Sequence, residues 1–145
     1  MPEAAEPSVF ESVRYSGECR ECGAAGLECW GVQALVDGRL RWDVESRCAA
    51  CGDAVAACGG EVPAERREQL LAEHGPARLR VDTRGAAARV TVMRVLRAEL
   101  GLDLPSAKAA LHDVLAGAPT GTLPETERLA RALRTAGVPA TAVRP

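Results

Sequence analysis

Two CxxC-Gly pairs are the residues of this chain best suited to chemistry. The stretch "CRECG" places Cys19 with Cys22, and "CAACG" places Cys48 with Cys51, with 25 residues between the pairs. Two residues between thiolates let a tight turn aim both sulfurs at one ion, and two such turns complete the tetrahedral sulfur shell that zinc accepts. The spacing therefore predicts one structural zinc ion held by all four cysteines.

The two remaining cysteines, Cys29 and Cys58, follow the pairs at matching distances, so that a short half-motif occurs twice. One interpretation is a two-zinc, six-cysteine module that binds DNA, but the intervening "GAAGLE" and "GDAVAA" carry no cation to contact phosphate. The favoured interpretation is that both are small, buried, apolar residues at matched strand positions. The sequence leaves open whether they bind metal.

The segment between the pairs predicts a β-hairpin that positions the two cysteine turns. Asp37 and Gly38 are the residues of a two-residue turn, flanked by strand-forming residues. This turn pairs Leu35 with Leu40, Gln33 with Trp42 and Gly31 with Val44, which makes one side of the hairpin mainly apolar. The arrangement resembles a zinc ribbon over residues 17–60, and the resemblance implies a fold rather than a function. We assign 17–62 to this ribbon and 1–16 to a flexible N-terminus.

A short helix is predicted after the ribbon, because "VPAERREQLLAEHGPA" begins with Pro63 and ends with Gly75 and Pro76. We interpret residues 63–76 as a connector between two domains. His74, in the last helical turn, is expected to interact with the helix dipole rather than with a metal.

The second half, residues 77–145, predicts the order βααβαβ. A strand at "RLRV" precedes a helix that ends at Gly101, a second helix begins near Pro105 and Ser106, and a strand follows at "TGTL". Pro124 opens a third helix, which leads to a last strand in "VPATAV". Helices on one face of a three-stranded antiparallel sheet make this domain, and the chain as a whole, α+β.

The first helix of this domain, in "RVTVMRVLRAELG", has more apolar residues than one buried side needs. The stripe expected to face the core comprises Val92, Val95, Leu96 and Leu100. A second set at helical spacing comprises Val90, Met93, Arg94 and Arg97. Periodicity alone allows either a helix enclosed on two sides within the domain or a face that binds a partner.

A family resemblance favours the second alternative. The stretches "RVTVMRVLRAELGLDLPSAKAAL" and "ETERLARALRTAGVPATAVR" resemble the C-terminal domain of the bacterial ribosomal large-subunit stalk protein over roughly residues 78–144. In that family the domain recruits the GTPase factors of translation through its first helix and a lysine of its second. The resemblance implies a partner-binding surface made of Val90, Met93, Arg94, Arg97 and Lys108. Asp103 departs from the family's glycine-rich turn, and the family's N-terminal dimerisation helices and hinge are replaced by the ribbon.

Charge differs between the two halves of the chain. Residues 1–62 hold five arginines against eleven acidic residues, a net charge of −6, whereas residues 77–145 hold eleven basic against six acidic residues, a net charge of +5. Four thiolates on one zinc add two further negative charges to the first segment, so we expect no nucleic acid to bind there. The chain has no apolar run of membrane-spanning length and no secretory signal, which predicts a cytoplasmic protein with reduced thiols.

These patterns predict a non-enzymatic adaptor or regulator that binds a protein partner, such as a translation GTPase. His74 and His112 are the only histidines, neither lies in a catalytic motif, and no glycine loop for phosphate is present. We therefore expect neither an enzyme nor a small-molecule substrate. The alternatives are a zinc-ribbon protein that binds nucleic acid or the ribosome, and an immunity-type protein that neutralises an effector through the same surface.

Overall fold

The computed structural model describes residues 6–144 and divides into two compact units, the first ending at His74 and the second starting at Gly75. The predicted mixture of helices and antiparallel sheets is confirmed. The first unit contains β1 (Val9–Glu18), β2 (Ala25–Val36), β3 (Arg39–Arg47), β4 (Ala54–Ala57) and α1 (Ala64–His74). The second contains β5 (Ala77–Val81), α2 (Ala86–Leu100), α3 (Leu104–Leu115), β6 (Pro119–Gly121), α4 (Leu123–Thr135) and β7 (Ala140–Val143).

The first unit is built on a four-stranded antiparallel sheet with the strand order β1-β2-β3-β4. Asp37 and Gly38, with φ of 49° and 77°, form the turn between β2 and β3. Positive φ at both residues gives a turn whose twist matches that of the flanking strands. The β2–β3 register has the predicted pairs, including Leu35 with Leu40 and Gln33 with Trp42.

The prediction of a flexible N-terminus for residues 1–16 is wrong from Val9 onward, and residues 1–5 lie outside the described part of the chain. Residues 9–18 form β1, which pairs with β2 from Val9 opposite Leu35 to Glu18 opposite Ala25. Val13 is buried in the core of the unit. The strand is ordered because it satisfies the free edge of β2 and buries apolar surface at the same time.

Helix α1 is part of the first unit rather than a connector. Leu70 is completely buried in a core with Val13 and Trp42. Polar side chains of α1 also bond the edge of β1: Gln69 Nε2 donates to the Arg14 carbonyl at 2.8 Å, and His74 Nε2 lies 2.7 Å from the Ser12 carbonyl. These bonds cover backbone groups of an edge strand that would otherwise be open to another chain.

The sheet of the second unit has the strand order β6-β5-β7. Helices α3 and α4 contact this sheet, and α2 packs against α3 and α4. The helix ends of this unit are defined by side chains and by one glycine. Gly101 ends α2 in the left-handed conformation, Asp103 caps α3, and Thr122 forms a capping box with Glu125 at the start of α4. The core comprises Leu79, Val92, Leu96, Val114, Leu129, Ala130, Leu133, Val138 and Ala140. No helix among residues 6–144 is long and apolar enough to cross a membrane.

Helix α2 buries a narrower stripe than its sequence predicts. Val92 and Leu96 are buried and Val95 packs partly against the core. Leu100, predicted to belong to the stripe, is 49% exposed. At 100° per residue, Leu96 lies about 40° around the helix from Val92 and Leu100 about 80°. Leu100 is therefore turned further from the core than Leu96 is.

Candidate metal centre

The two cysteine turns, here called knuckles, have the same backbone conformation. In each, the first cysteine donates its N–H to the carbonyl five residues later and accepts at its own carbonyl from the glycine N–H four residues later. The bonds are Cys19 N to Ala24 O (3.0 Å), Gly23 N to Cys19 O (2.9 Å), Cys48 N to Asp53 O (2.8 Å) and Gly52 N to Cys48 O (2.9 Å). Gly23 and Gly52 have φ of 70° and 77°, a conformation that glycine adopts without strain.

Strand topology brings the knuckles together. β1 and β3 both pair antiparallel with β2, so they run in the same direction. Their last residues therefore lie at the same end of the sheet. The first knuckle begins at Cys19, directly after β1, and the second at Cys48, directly after β3. The two knuckles are 25 residues apart in the sequence, and the hairpin of β2 and β3 brings them together.

The four sulfurs form one cluster. Cys19 Sγ lies 3.7 Å from Cys51 Sγ and Cys22 Sγ lies 3.6 Å from Cys48 Sγ, and all four lie within 4.8 Å of one another. A tetrahedral site with zinc–sulfur bonds of roughly 2.3 Å requires sulfurs about 3.8 Å apart. The cluster thus fits one tetrahedral metal ion.

Backbone amides favour the thiolate form at one of these sulfurs. The N–H groups of Cys51 and Ala50 lower the pKa of the Cys48 thiol to about 7, from an ordinary value of 9.0. The N–H of Asp53 acts on Cys51 in the same sense, but loss of hydration and the three neighbouring thiols raise the pKa of Cys51 to about 12. Four adjacent thiolates repel one another, so the four thiols cannot all lose their protons without a counter-charge. A bound divalent cation would supply that charge.

Cys29 and Cys58 lie outside the four-sulfur cluster. Cys29 is buried, and desolvation raises the pKa of its thiol, which makes it a poor nucleophile as well as a poor ligand. The prediction that Cys58 is buried is wrong, because β4 ends at Ala57 and Cys58 follows it exposed. The two cysteines therefore do not occupy matched strand positions.

The residues of the predicted partner-binding surface are mostly exposed. Val90 is 48% exposed, Arg94 and Arg97 are exposed on α2, and Lys108 is exposed on α3, the helix that packs beside α2. Met93 is half-buried. These five residues lie on α2 and α3, and Met93 is less accessible than the other four.

The turn between α2 and α3 restrains one of these cations, which the sequence did not indicate. Arg97 Nε donates to the Leu102 carbonyl at 3.3 Å. Asp103 accepts from the Ser106 N–H at 2.8 Å, and the hydrogen bonds from Ser106, together with the charge of Arg97, lower the pKa of the Asp103 carboxyl group. The sequence does carry a signal for the cap itself, since Asp followed three residues later by Ser with Pro105 between them is typical of a helix start. Arg94, by contrast, forms no ion pair or side-chain hydrogen bond with any described residue.

Comparison of the chain with protein-family models, with curated proteins and with solved structures found no match. The resemblances to a zinc ribbon and to the stalk domain therefore rest on the residues themselves.

Proposed function

We propose that this protein is a non-enzymatic adaptor, in which a zinc ion stabilises the first unit and the exposed side of α2 binds a protein partner. The observation that carries the proposal is the division of α2 into two sides. Val92 and Leu96 anchor the helix in the core, while Val90 remains 48% exposed beside Arg94. An apolar residue bordered by cations is typical of a surface that another protein covers.

Zinc is the metal we propose for the four-cysteine cluster. A closed shell of four thiolates leaves no position for water or substrate, which is the arrangement of structural rather than catalytic zinc. Cys19 and Cys48 are buried, whereas Cys22 and Cys51 are exposed. The ion would therefore lie close to the protein surface, at the end of the sheet where β1 and β3 finish. Zinc and iron both suit tetrahedral sulfur, and elemental analysis of purified protein distinguishes them. A cytoplasmic location, which keeps thiols reduced, is part of the proposal.

The partner we propose is a GTPase factor of translation or another protein with an acidic, apolar surface. The support is the stalk-like pattern of residues 78–144 and the charge of +5 carried by residues 77–145. Arg94 and Lys108 are the cations best placed to bind, since neither forms an ion pair or side-chain hydrogen bond with a residue that the structure describes. Arg97 contributes less because the Leu102 carbonyl already accepts from it.

The test measures the affinity of the zinc-loaded chain for a purified elongation GTPase by calorimetry. We expect Arg94→Glu to weaken binding at least about tenfold, because it places a carboxylate against an acidic partner at an interface. Arg78→Glu is the matched control, since Arg78 is an exposed arginine of β5 in the same unit. Equal affinity for the wild-type chain and Arg94→Glu would rule out this surface as the binding site.

A further inference from the structure

Helices α3 and α4 of the second unit contact its sheet, and the core that they share with it includes Leu79. The central strand of the sheet, β5, alternates between two sides: Leu79 is buried in the core, whereas Arg78 and Arg80 are exposed on the opposite side. Neither guanidinium forms an ion pair or hydrogen bond with any residue between 6 and 144. Two unpaired cations therefore stand in the middle of a β-sheet surface.

Cross-strand neighbours complete this surface without adding a negative charge. On β7, Thr141 lies opposite Arg80 and Val143 opposite Arg78, and on β6 Pro119 lies opposite Arg78. We call these five residues the open sheet face. Asp82 follows directly after the end of β5, and its carboxylate lies 3.5 Å from Arg84 Nε. The face has a charge of +2 and one exposed hydroxyl.

We propose that the open sheet face binds the phosphate backbone of single-stranded nucleic acid. Residues two apart on a strand project to the same side about 6.7 Å apart, a separation similar to that of successive phosphates in an extended strand. Each guanidinium presents a planar fork of donors that suits phosphate oxygens. Thr141 supplies a further hydroxyl donor to the same row.

The composition of the face favours nucleic acid over a protein or a membrane. A protein interface needs a large apolar anchor that is desolvated on binding, and the large exposed apolar residues of this unit lie on helices instead: Val90, Leu100, Leu104 and Leu115. A membrane surface likewise needs a large exposed apolar or aromatic residue to enter it, and the face has only the exposed Pro119 and the half-buried Val143. Phosphate binding requires only the cations and donors that the face has.

The first unit sets a limit on this interaction. Its acidic sequence carries −6 over residues 1–62, so the whole chain is not attracted to a polyanion and binding depends on the local face. The interaction should be weak, independent of base sequence and strongly reduced by salt. It goes beyond the adaptor function and does not depend on the α2 surface.

The experiment follows fluorescence anisotropy of a labelled oligouridine titrated with the full zinc-loaded chain at salt concentrations between about 50 and 200 mM. For Arg78→Gln/Arg80→Gln we expect weaker binding and a slope of log affinity against log salt that is smaller by about 1.4, since each lost phosphate contact on a single strand contributes about 0.7. Arg78→Lys/Arg80→Lys should keep most of the slope. Thermal melting confirms that each variant is folded.

The matched control is Arg94→Gln/Arg97→Gln, which removes the same charge from α2. The proposal predicts that this control leaves the slope unchanged. It is overturned if both double variants lose the same slope, because overall charge would then explain binding. It is also overturned if polyglutamate or anionic phosphatidylserine vesicles bind as tightly as oligouridine and lose binding on the same Arg78→Gln/Arg80→Gln change.

Discussion

At the scale of single residues, the cysteines differ in what their loss should do. Cys48→Ser removes one of four metal ligands, and we expect the metal content to fall from about one ion per chain to near zero, because three thiolates no longer close the structural site. Cys58→Ser is the matched control, since Cys58 is exposed and outside the cluster. Metal content measured by mass spectrometry of the native protein gives the answer; retention of the ion in Cys48→Ser would contradict the four-thiolate site.

Gly31 is required by a close contact rather than by a turn. A methyl group at Gly31 would overlap the indole ring of Trp42, whereas one at Gly17 would meet only Leu27 Cδ2 and Cys29 Sγ at 3.9 and 4.0 Å. We expect Gly31→Ala to reduce the free energy of unfolding by about 1–3 kcal/mol and Gly17→Ala to leave it nearly unchanged. Denaturant titrations of the two variants measure the difference, and equal stabilities would show that Trp42 does not pack on Gly31.

Local spacing decides how far the site could be predicted from the sequence. The four-cysteine cluster follows from two CxxC-Gly turns and one Asp-Gly hairpin, each specified within a few residues. The exposure of Cys58 depends on where β4 ends, at Ala57, and the restraint on Arg97 depends on how α2 meets α3. The exposure of Cys58 and the restraint on Arg97 both depend on tertiary packing, which residue types and their spacing do not reveal.

At the scale of elements, α1 stabilises the first unit through one fully buried side chain. Leu70→Ala should lower the free energy of unfolding by about 2–5 kcal/mol, since it removes apolar contacts with Val13 and Trp42 and leaves a cavity. Leu71, half-buried on the same helix, serves as the control and should cost less when changed to alanine. Hydrogen exchange of the β1 amides measures the effect locally, and we expect it to be faster in Leu70→Ala than in the wild type. Unchanged exchange in β1 would mean that α1 is only a connector.

The cap of α3 contains a carboxyl group, that of Asp103, whose pKa is lowered in the folded state. Hydrogen bonds from the Ser106 side chain and backbone, and the charge of Arg97, hold the pKa of Asp103 below its ordinary 3.8. A carboxyl group whose pKa is lower in the folded state stabilises that state above the unfolded pKa and loses the contribution as the pH falls through the folded value. Asp103→Asn keeps a capping side chain but does not titrate.

We therefore expect the melting temperature of the second unit to fall more between about pH 6 and about pH 3 in the wild type than in Asp103→Asn. Circular dichroism melts at the two pH values measure this, with the other carboxyl groups common to both proteins. An identical acid-induced fall in the two proteins would show that the cap does not depend on the charge of Asp103.

The elements that the sequence predicted are those with local start and stop signals. Asp37 and Gly38 fix the hairpin, and Gly101 and Pro124 mark helix boundaries in the second unit. β1 and the role of α1 were missed because their stability comes from partners distant in sequence: β1 pairs with β2, and α1 packs on β1. An amphipathic helix between two domains has the same pattern whether it connects them or completes one.

At the scale of the whole molecule, the metal should stabilise one unit and leave the other unaffected. The second unit has its own apolar core and no residue of the four-cysteine cluster. Removal of the metal with a strong chelator should increase hydrogen exchange throughout β1–β4, because metal binding contributes directly to the folding of such small sheets. Exchange in α2–α4 should not change. Loss of protection in both units after chelation would show that they do not fold separately.

The most direct test of the adaptor proposal is a residue-by-residue map of binding. Backbone amide shifts of the zinc-loaded chain, recorded by NMR while a purified elongation GTPase is added, report which surface is covered. The proposal predicts changes centred on Val90, Arg94 and Lys108, with the first unit and the open sheet face unaffected. Changes confined to the cysteine knuckles or to β5, with α2 unperturbed at saturating partner, would contradict it.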